Sequence, residues 1–259
     1  MTTSTGGSRI ARFRLPLRLA VLVAAVVLIA AGYVAVWPAG SSSSPSSFNW
    51  SGYAIMAPPG SVSSVSALWT QPPVLGSCPA FSDTYAMFWV GIDGWGSTTD
   101  PVEQVGTENV CAGGIATESA FYEFYPGPMV LISSIRLQSG DRVDAVVSYS
   151  NGTFTIGIAD LTSGASFENS TYAPSEPRSS AEWIVEAPQA GATSLTDFGR
   201  VNFTSVGVTI GGRSGVLGSF PDTYELSMTN LNSTYQRATP TSIDSETDGF
   251  TVTWLRGAP

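Results

Sequence analysis

The hydrophobic rhythm of the chain changes once, near residue 48. Before that point the apolar residues form one continuous stretch, Leu19 to Trp37, without a charged side chain. Beyond it come short runs rich in Val, Ile, Thr, Tyr, Phe and Trp, interleaved with polar residues and broken by Gly, Pro and Asn-Gly. Alternation puts successive side chains on opposite faces of an extended strand. It predicts strands over 63–70, 84–92, 115–125, 142–149, 153–160, 181–187, 201–210, 223–229 and 249–255. No segment after residue 40 keeps an apolar helical period for three turns. Strands at this spacing, with no helices between them, predict one antiparallel β-sandwich or barrel without a second domain. Asn151-Gly152 is the clearest hairpin signal, since a type I′ turn needs positive φ at both central residues. Thr162-Ser163-Gly164 then continues the meander.

The continuous stretch reads differently. Arg9, Arg12, Arg14 and Arg18 precede it, and no acid occurs in the first forty residues. Basic residues before an apolar run hold the N-terminus in the cytoplasm and mark an export signal. A transmembrane helix needs about 20 residues, so the length favours a retained anchor over a cleaved signal. The chain therefore divides into a basic region 1–18, a hydrophobic helix 19–37, a Ser/Pro-rich tether 38–47 and a β-sandwich domain 48–259.

Composition narrows the chemistry. The 259 residues include no His, and all eleven basic residues are Arg. Histidine-activated nucleophiles, Schiff-base lysines, a P-loop lysine and histidine metal ligands are thereby excluded. Past the four N-terminal arginines, seven Arg stand against twenty acids, a formal charge of −13. Such a surface predicts no nucleic-acid partner. Few basic groups also means few ion pairs to lose and little self-repulsion when the carboxylates are protonated, which suits an acidic habitat. Cys78 and Cys111 are the only cysteines, and outside the cytosol such a pair is expected to be bridged. Asn49, Asn151, Asn169, Asn202 and Asn232 each open an Asn-x-Ser/Thr triplet, a candidate glycan site.

Three clusters could carry chemistry. In Met87–Glu108, alternation puts Met87, Trp89, Gly91 and Asp93 on one face and Phe88, Val90 and Ile92 on a core face, with Gln104 in the next extended piece. In Ala120–Pro128, Glu123 shares a face with Phe121 and Tyr125, and a lone carboxylate among aromatics is costly in a dry core. In Ala181–Pro188, Glu182, Ile184 and Glu186 oppose Trp183 and Val185. Glu182 and Glu186 stand about 13 Å apart along a strand, too far to share a proton.

Together these pieces resemble the glutamic peptidases, or eqolisins. The matching residues are Asn49-Trp50, the run from Phe88 to Gly94 (FWVGIDG), Gln104-Val105-Gly106, the run from Phe121 to Pro126 (FYEFYP) and the run from Ala181 to Glu186 (AEWIVE). They occur in the family's order and at similar spacing. The resemblance implies an all-β fold of two curved antiparallel sheets, a concanavalin-like jelly roll, with substrate across the concave face. It implies a catalytic pair, Gln104 and Glu186, with Trp50, Trp89, Asp93 and Glu123 lining or supporting the cleft. A supporting acid of the family aligns with Ser119 here. Fungal members carry a basic propeptide where this chain has only the tether, so the expectation is a member competent without activation.

The implied chemistry is physically sound. An ionised carboxylate can take a proton from the water that attacks an amide, then return it to the leaving nitrogen. A side-chain amide donates to the developing oxyanion and stays neutral at any working pH. With a neutral partner, Glu186 avoids the repulsion within a carboxylate pair and is expected to remain a base in acid. The expected protein is thus an exported or membrane-anchored monomeric acid endopeptidase that cleaves proteins or peptides without cofactor or metal. Two other readings stand beside it. A β-sandwich glycoside hydrolase needs carboxyls about 5 to 9.5 Å apart, which only a cross-strand pair such as Glu123 and Glu186 could supply. A lectin-like sandwich would bind without catalysis.

Overall fold

The computed structural model describes residues 45–96 and 101–259; the predicted hydrophobic helix 19–37 and most of the tether lie outside the described residues. Among the described residues no helix is long and apolar enough to cross a membrane. The only helical pieces there are two 3₁₀ turns, Gln189–Gly191 and Leu217–Ser219. In chain order the strands are β1 (Ser46–Ser47), β2 (Trp50–Met56), β3 (Val62–Thr70), β4 (Thr84–Ile92), β5 (Glu103–Ala112) and β6 (Ile115–Phe124). Next come β7 (Val130–Leu131), β8 (Arg142–Ser150), β9 (Thr153–Asp160), β10 (Ser166–Tyr172), β11 (Ser180–Glu186) and β12 (Ser194–Leu195). The last are β13 (Arg200–Ile210), β14 (Arg213–Val216), β15 (Thr223–Thr229), β16 (Gln236–Pro240) and β17 (Phe250–Trp254).

Antiparallel pairing joins β15, β2, β11, β4, β5, β6 and β7 into a front layer. A back layer runs β13, β3, β8, β9, β10. The strands β15, β16, β17 and β13 connect the layers along one side. Phe88, Val90 and Ile92 of β4 and Trp183 and Val185 of β11 pack with Val65, Ala67 and Trp69 of β3 and Ile156 of β9 in one large core. Every strand predicted by alternation is present, with ends shifted by at most one residue. Asn151 and Gly152 have φ of 50° and 83°, as the I′ turn between β8 and β9 requires.

The front layer is covered on both faces. On the side away from the large core, Ala54, Met87, Trp89, Val102, Phe121, Ile184 and Leu226 form a second apolar cluster, flanked by Trp50, Trp95 and Tyr224. This explains why β11 is buried along almost its whole length in spite of its alternating sequence. The predicted disulfide is formed: Cys78, in the loop before β4, is bonded to Cys111 near the end of β5. Ser46 and Ser47, which the sequence assigns to the tether, form β1 and pair in parallel with Ser227 and Met228 of β15.

Candidate active site

The register of the front layer decides which polar groups meet. β11 lies between β2 and β4, so Glu186 stands opposite Trp50 on one side and Met87 on the other. Four residues back, Glu182 stands opposite Gly91, which faces Gln104 of β5, which faces Glu123 of β6. Between these two rows lies a third: Ile184, Trp89, Gly106 and Phe121. Gly91 gives the Trp89 indole its room, and Gly106 gives room to the Trp89 backbone and Cβ. A Cβ on Gly106 would fall 2.6 Å from the Trp89 Cβ, and one on Gly91 would fall 2.9 Å from the indole ring.

So seated, the indole N–H of Trp89 donates to Oε2 of Glu186 at 2.9 Å. The Asn49 amide donates to Oε1 at 3.4 Å. Trp50 Nε1 is directed to the same carboxylate without completing a hydrogen bond. On the neighbouring wall, Gln104 Nε2 donates to Glu123 Oε2 at 2.7 Å, while Gln104 Oε1 has no partner. Glu186, Gln104, Glu123, Asn49 and Trp50 all line one cleft of about 770 Å³. Met87, Trp95, Val102, Tyr125 and Met129 supply its apolar lining. Ideal sheet spacings put the Gln104 and Glu186 Cα atoms roughly 16 Å apart, so the two side chains can meet only through something held between them.

Glu186 and Glu182 differ in what they face. Glu182 is 0% exposed, beside Ser180 and the backbone of Trp95, with neither carboxyl oxygen hydrogen-bonded. Burial holds its pKa well above the ordinary range, and Asp93 and Glu103 nearby push the same way. Glu186 reaches the cleft, yet burial pushes its pKa up to about 7, against the lowering by its tryptophan and asparagine donors; Glu123 adds a small rise. Against the expectation that a neutral partner keeps Glu186 a base in acid stands its burial, which raises the pKa. Desolvation is the larger effect, and repulsion from Glu123 the smaller one.

The far wall is formed by Pro188, Gln189 and Ala190. Gln189 and Ala190 have φ of 56° and 54°, an uncommon pair of left-handed non-glycine residues. The fully buried Arg237 guanidinium secures the chain just beyond this turn by donating to the carbonyls of Gly191 and Thr193, and it donates to that of Gly257 as well.

Comparison with known proteins identifies the family. The profile of the peptidase A4 family matches residues 48–254. The chain belongs to the peptidase A4 family, the glutamic peptidases. Over 135 residues it is 34% identical to aspergillopepsin-2 of Aspergillus niger, a match covering 49% of this chain and 47% of that protein. The chain thus spans about half the length of this curated relative. The crystal structure of aspergilloglutamic peptidase from Aspergillus niger is 28% identical, with a TM-score of 0.56, covering 66% of this chain and 99% of that one. Scytalido-glutamic peptidase with a transition-state analogue inhibitor gives a TM-score of 0.66 at 24% identity, over 80% and 98% of the two chains, a likeness in fold.

Within this A4 domain, Gln104, Glu186, Trp50 and Glu123 are brought to the cleft. Trp89 is fully buried and reaches the cleft only through its bond to Glu186. Asp93 is buried as well. Its carboxylate accepts the backbone N–H groups of Arg178 and Ser179 at 2.7 Å each, which ties the loop carrying Trp95 to the start of β11. Asp93 has φ of 68°, and Asp tolerates the left-handed region better than most residues. Glu108 escaped the sequence reading. It sits directly across from Ser119, the position lacking the expected supporting acid, and burial raises its pKa. Its signal was present, since Gln104, Gly106 and Glu108 alternate on one face of β5.

Proposed function

We propose that this chain is an exported endopeptidase that hydrolyses peptide bonds in proteins, with Glu186 as general base and Gln104 as donor to the oxyanion. The observation that carries this reading is the contrast between the two acids of β11: Glu186 lines the cleft with a donor on each oxygen, whereas Glu182 is sealed away. In its ionised form Glu186 takes a proton from a water as that water's oxygen bonds to the substrate carbonyl carbon. The second N–H of Gln104, not used by Glu123, supports the negative charge gathering on the carbonyl oxygen. Glu186 then passes its proton to the amide nitrogen as the carbon–nitrogen bond breaks. Family membership and inhibitor-bound relatives support peptides as substrates and give the glycosidase and lectin-like readings no support.

The basic region and apolar run 1–37 would carry the domain out of the cytosol, as a monomer tethered to the membrane or released from it, and the two layers would follow a jelly-roll plan. The test is digestion of a denatured protein by the full chain and three variants. Glu186→Gln should lower kcat/KM by about 10² to 10⁴-fold. Gln104→Ala should lower it by roughly 10² to 10³-fold. Glu182→Gln should leave it within a few-fold. Wild-type rates in a folded Glu186→Gln protein would overturn the assignment.

A further inference from the structure

The hydrogen bonds around Asn49 extend the site to a residue outside the family match. Ser47 lies one residue before the matched stretch, in β1, docked against β15. Its hydroxyl accepts the backbone N–H of Trp50 at 3.1 Å and that of Asn49 at 3.4 Å. It donates to Asn49 Oδ1 at 3.1 Å. A serine hydroxyl has one proton to give. That proton goes to the amide oxygen, which fixes the side chain of Asn49 with its oxygen toward Ser47 and its NH₂ toward Glu186 Oε1. Without Ser47, only an ionised Glu186 distinguishes the two ends of the amide, and a protonated one, which can donate to an amide oxygen, no longer does. The flipped form would set an amide oxygen against a carboxylate.

We infer that Ser47 and Asn49 form a positioning relay for Glu186, so that the docked first strand of the domain is part of the catalytic machinery. Neither residue performs a proton transfer. Asn49 supplies a neutral donor to one carboxylate oxygen while Trp89 holds the other, and Ser47 keeps the donor facing the right way. The carboxylate is thereby held in one orientation on the cleft floor. The relay also opposes the groups that favour a protonated Glu186, namely its burial and the Glu123 carboxylate. Losing a donor to the charged form raises a pKa. The inference deepens the reading of Glu186 as the base and rests on it for its catalytic consequence; the relay itself is a matter of geometry.

The experiment uses the full chain with Ser47→Ala, Ser47→Thr, Asn49→Ala and the Ser47→Ala/Asn49→Ala double variant. Two measurements are made on each: kcat and KM for a peptide substrate, and the Glu186 titration midpoint followed by carboxyl ¹³C NMR, assigned with Glu186→Gln. Ser47→Ala should lower kcat roughly 3- to 10-fold with KM within about twofold. Its Glu186 midpoint should rise by at least roughly half a pH unit. Asn49→Ala should do the same more strongly, and Ser47→Thr should restore both. The double variant should match Asn49→Ala alone, because residues acting in series are not additive. An unmoved midpoint in both single variants, or additive losses in the double variant, would overturn the relay. Loss of the reading of Glu186 as the base would appear separately, as undiminished proteolysis by Glu186→Gln.

Discussion

Gln104 donates its side-chain amide to Glu123 across adjacent strands, and this bond sets which end of the amide is available to the cleft. The Gln104 oxygen is left buried and unpaired, so the arrangement is held by Glu123 alone. Removing the acceptor frees the amide to turn. Glu123→Ala is expected to lower kcat about tenfold or more, approaching the effect of losing the proposed oxyanion donor. Glu123→Gln should be milder, because its carbonyl oxygen can still accept. Steady-state kinetics on variants with unchanged circular dichroism would check this; equal activity in both variants would show that Gln104 needs no such anchor.

With Glu186 as the proposed base, its ionisation sets the pH–rate profile. Its pKa is raised to about 7, and the working form of a general base is the ionised one. As pH falls below that value the ionised fraction drops tenfold per unit. The acid limb of kcat/KM should therefore have unit slope and a midpoint near 7, unaffected by metal chelators or thiol blockers. A rate that stays flat between pH 3 and 5 would mean that the protonated carboxyl is the competent form, acting first as an acid.

Stability should run the other way. Glu103 is 2% exposed, and burial together with the charges of Asp93 and Glu176 raises its pKa to about 8. Glu182 is shifted in the same direction. For a carboxyl raised on folding, the unfolded chain ionises first. Its contribution is complete below the ordinary value near 4.5 and is lost as pH rises toward the folded value. Between those limits each pH unit removes about 1.4 kcal/mol per such group. Denaturant midpoints should fall steadily from pH 4 to pH 8. Glu103→Gln should flatten that decline, and an unchanged slope would remove Glu103 from the explanation.

The Cys78–Cys111 bond closes a loop with a sequence separation of 33. By the chain-entropy argument, replacing both cysteines with serine should cost roughly 3 to 4 kcal/mol. Thermal unfolding with and without reductant would measure it. Equal stability of the oxidised and reduced chains would show that the surrounding packing already restrains the loop.

Alternation revealed those parts of the fold whose residues are large and β-branched or aromatic, such as 84–92 and 201–210. It passed over β2, whose SGYA stretch lacks bulk, and β10, whose SFENSTY sequence is largely polar, as befits the outer strand of the back layer. Within the site, alternation set Glu182 and Glu186 on one face and could not choose between them. Burial separates them, and burial depends on Trp95, Asp93 and the second apolar cluster, which reach β11 from elsewhere in the chain. Trp89 and Asp93 were legible as important but not as buried, for the same reason. Ser47 was hidden in a serine-rich run that looks like linker until its pairing with β15 is seen.

Because Gln104 and Glu186 hang from the two strands flanking β4, their spacing belongs to the sheet lattice and not to any loop. A slip of one residue in β11 would turn Glu186 inward and present Val185 or Ala187 in its place. Insertions within β4, β5 or β11 are therefore the changes this site can least absorb. Lengthening a turn elsewhere leaves the pair untouched. The exposed Thr162-Ser163-Gly164 turn, between β9 and β10 on the back layer, is accordingly the natural place to graft a tag, a binding loop or a second domain while the cleft stays intact.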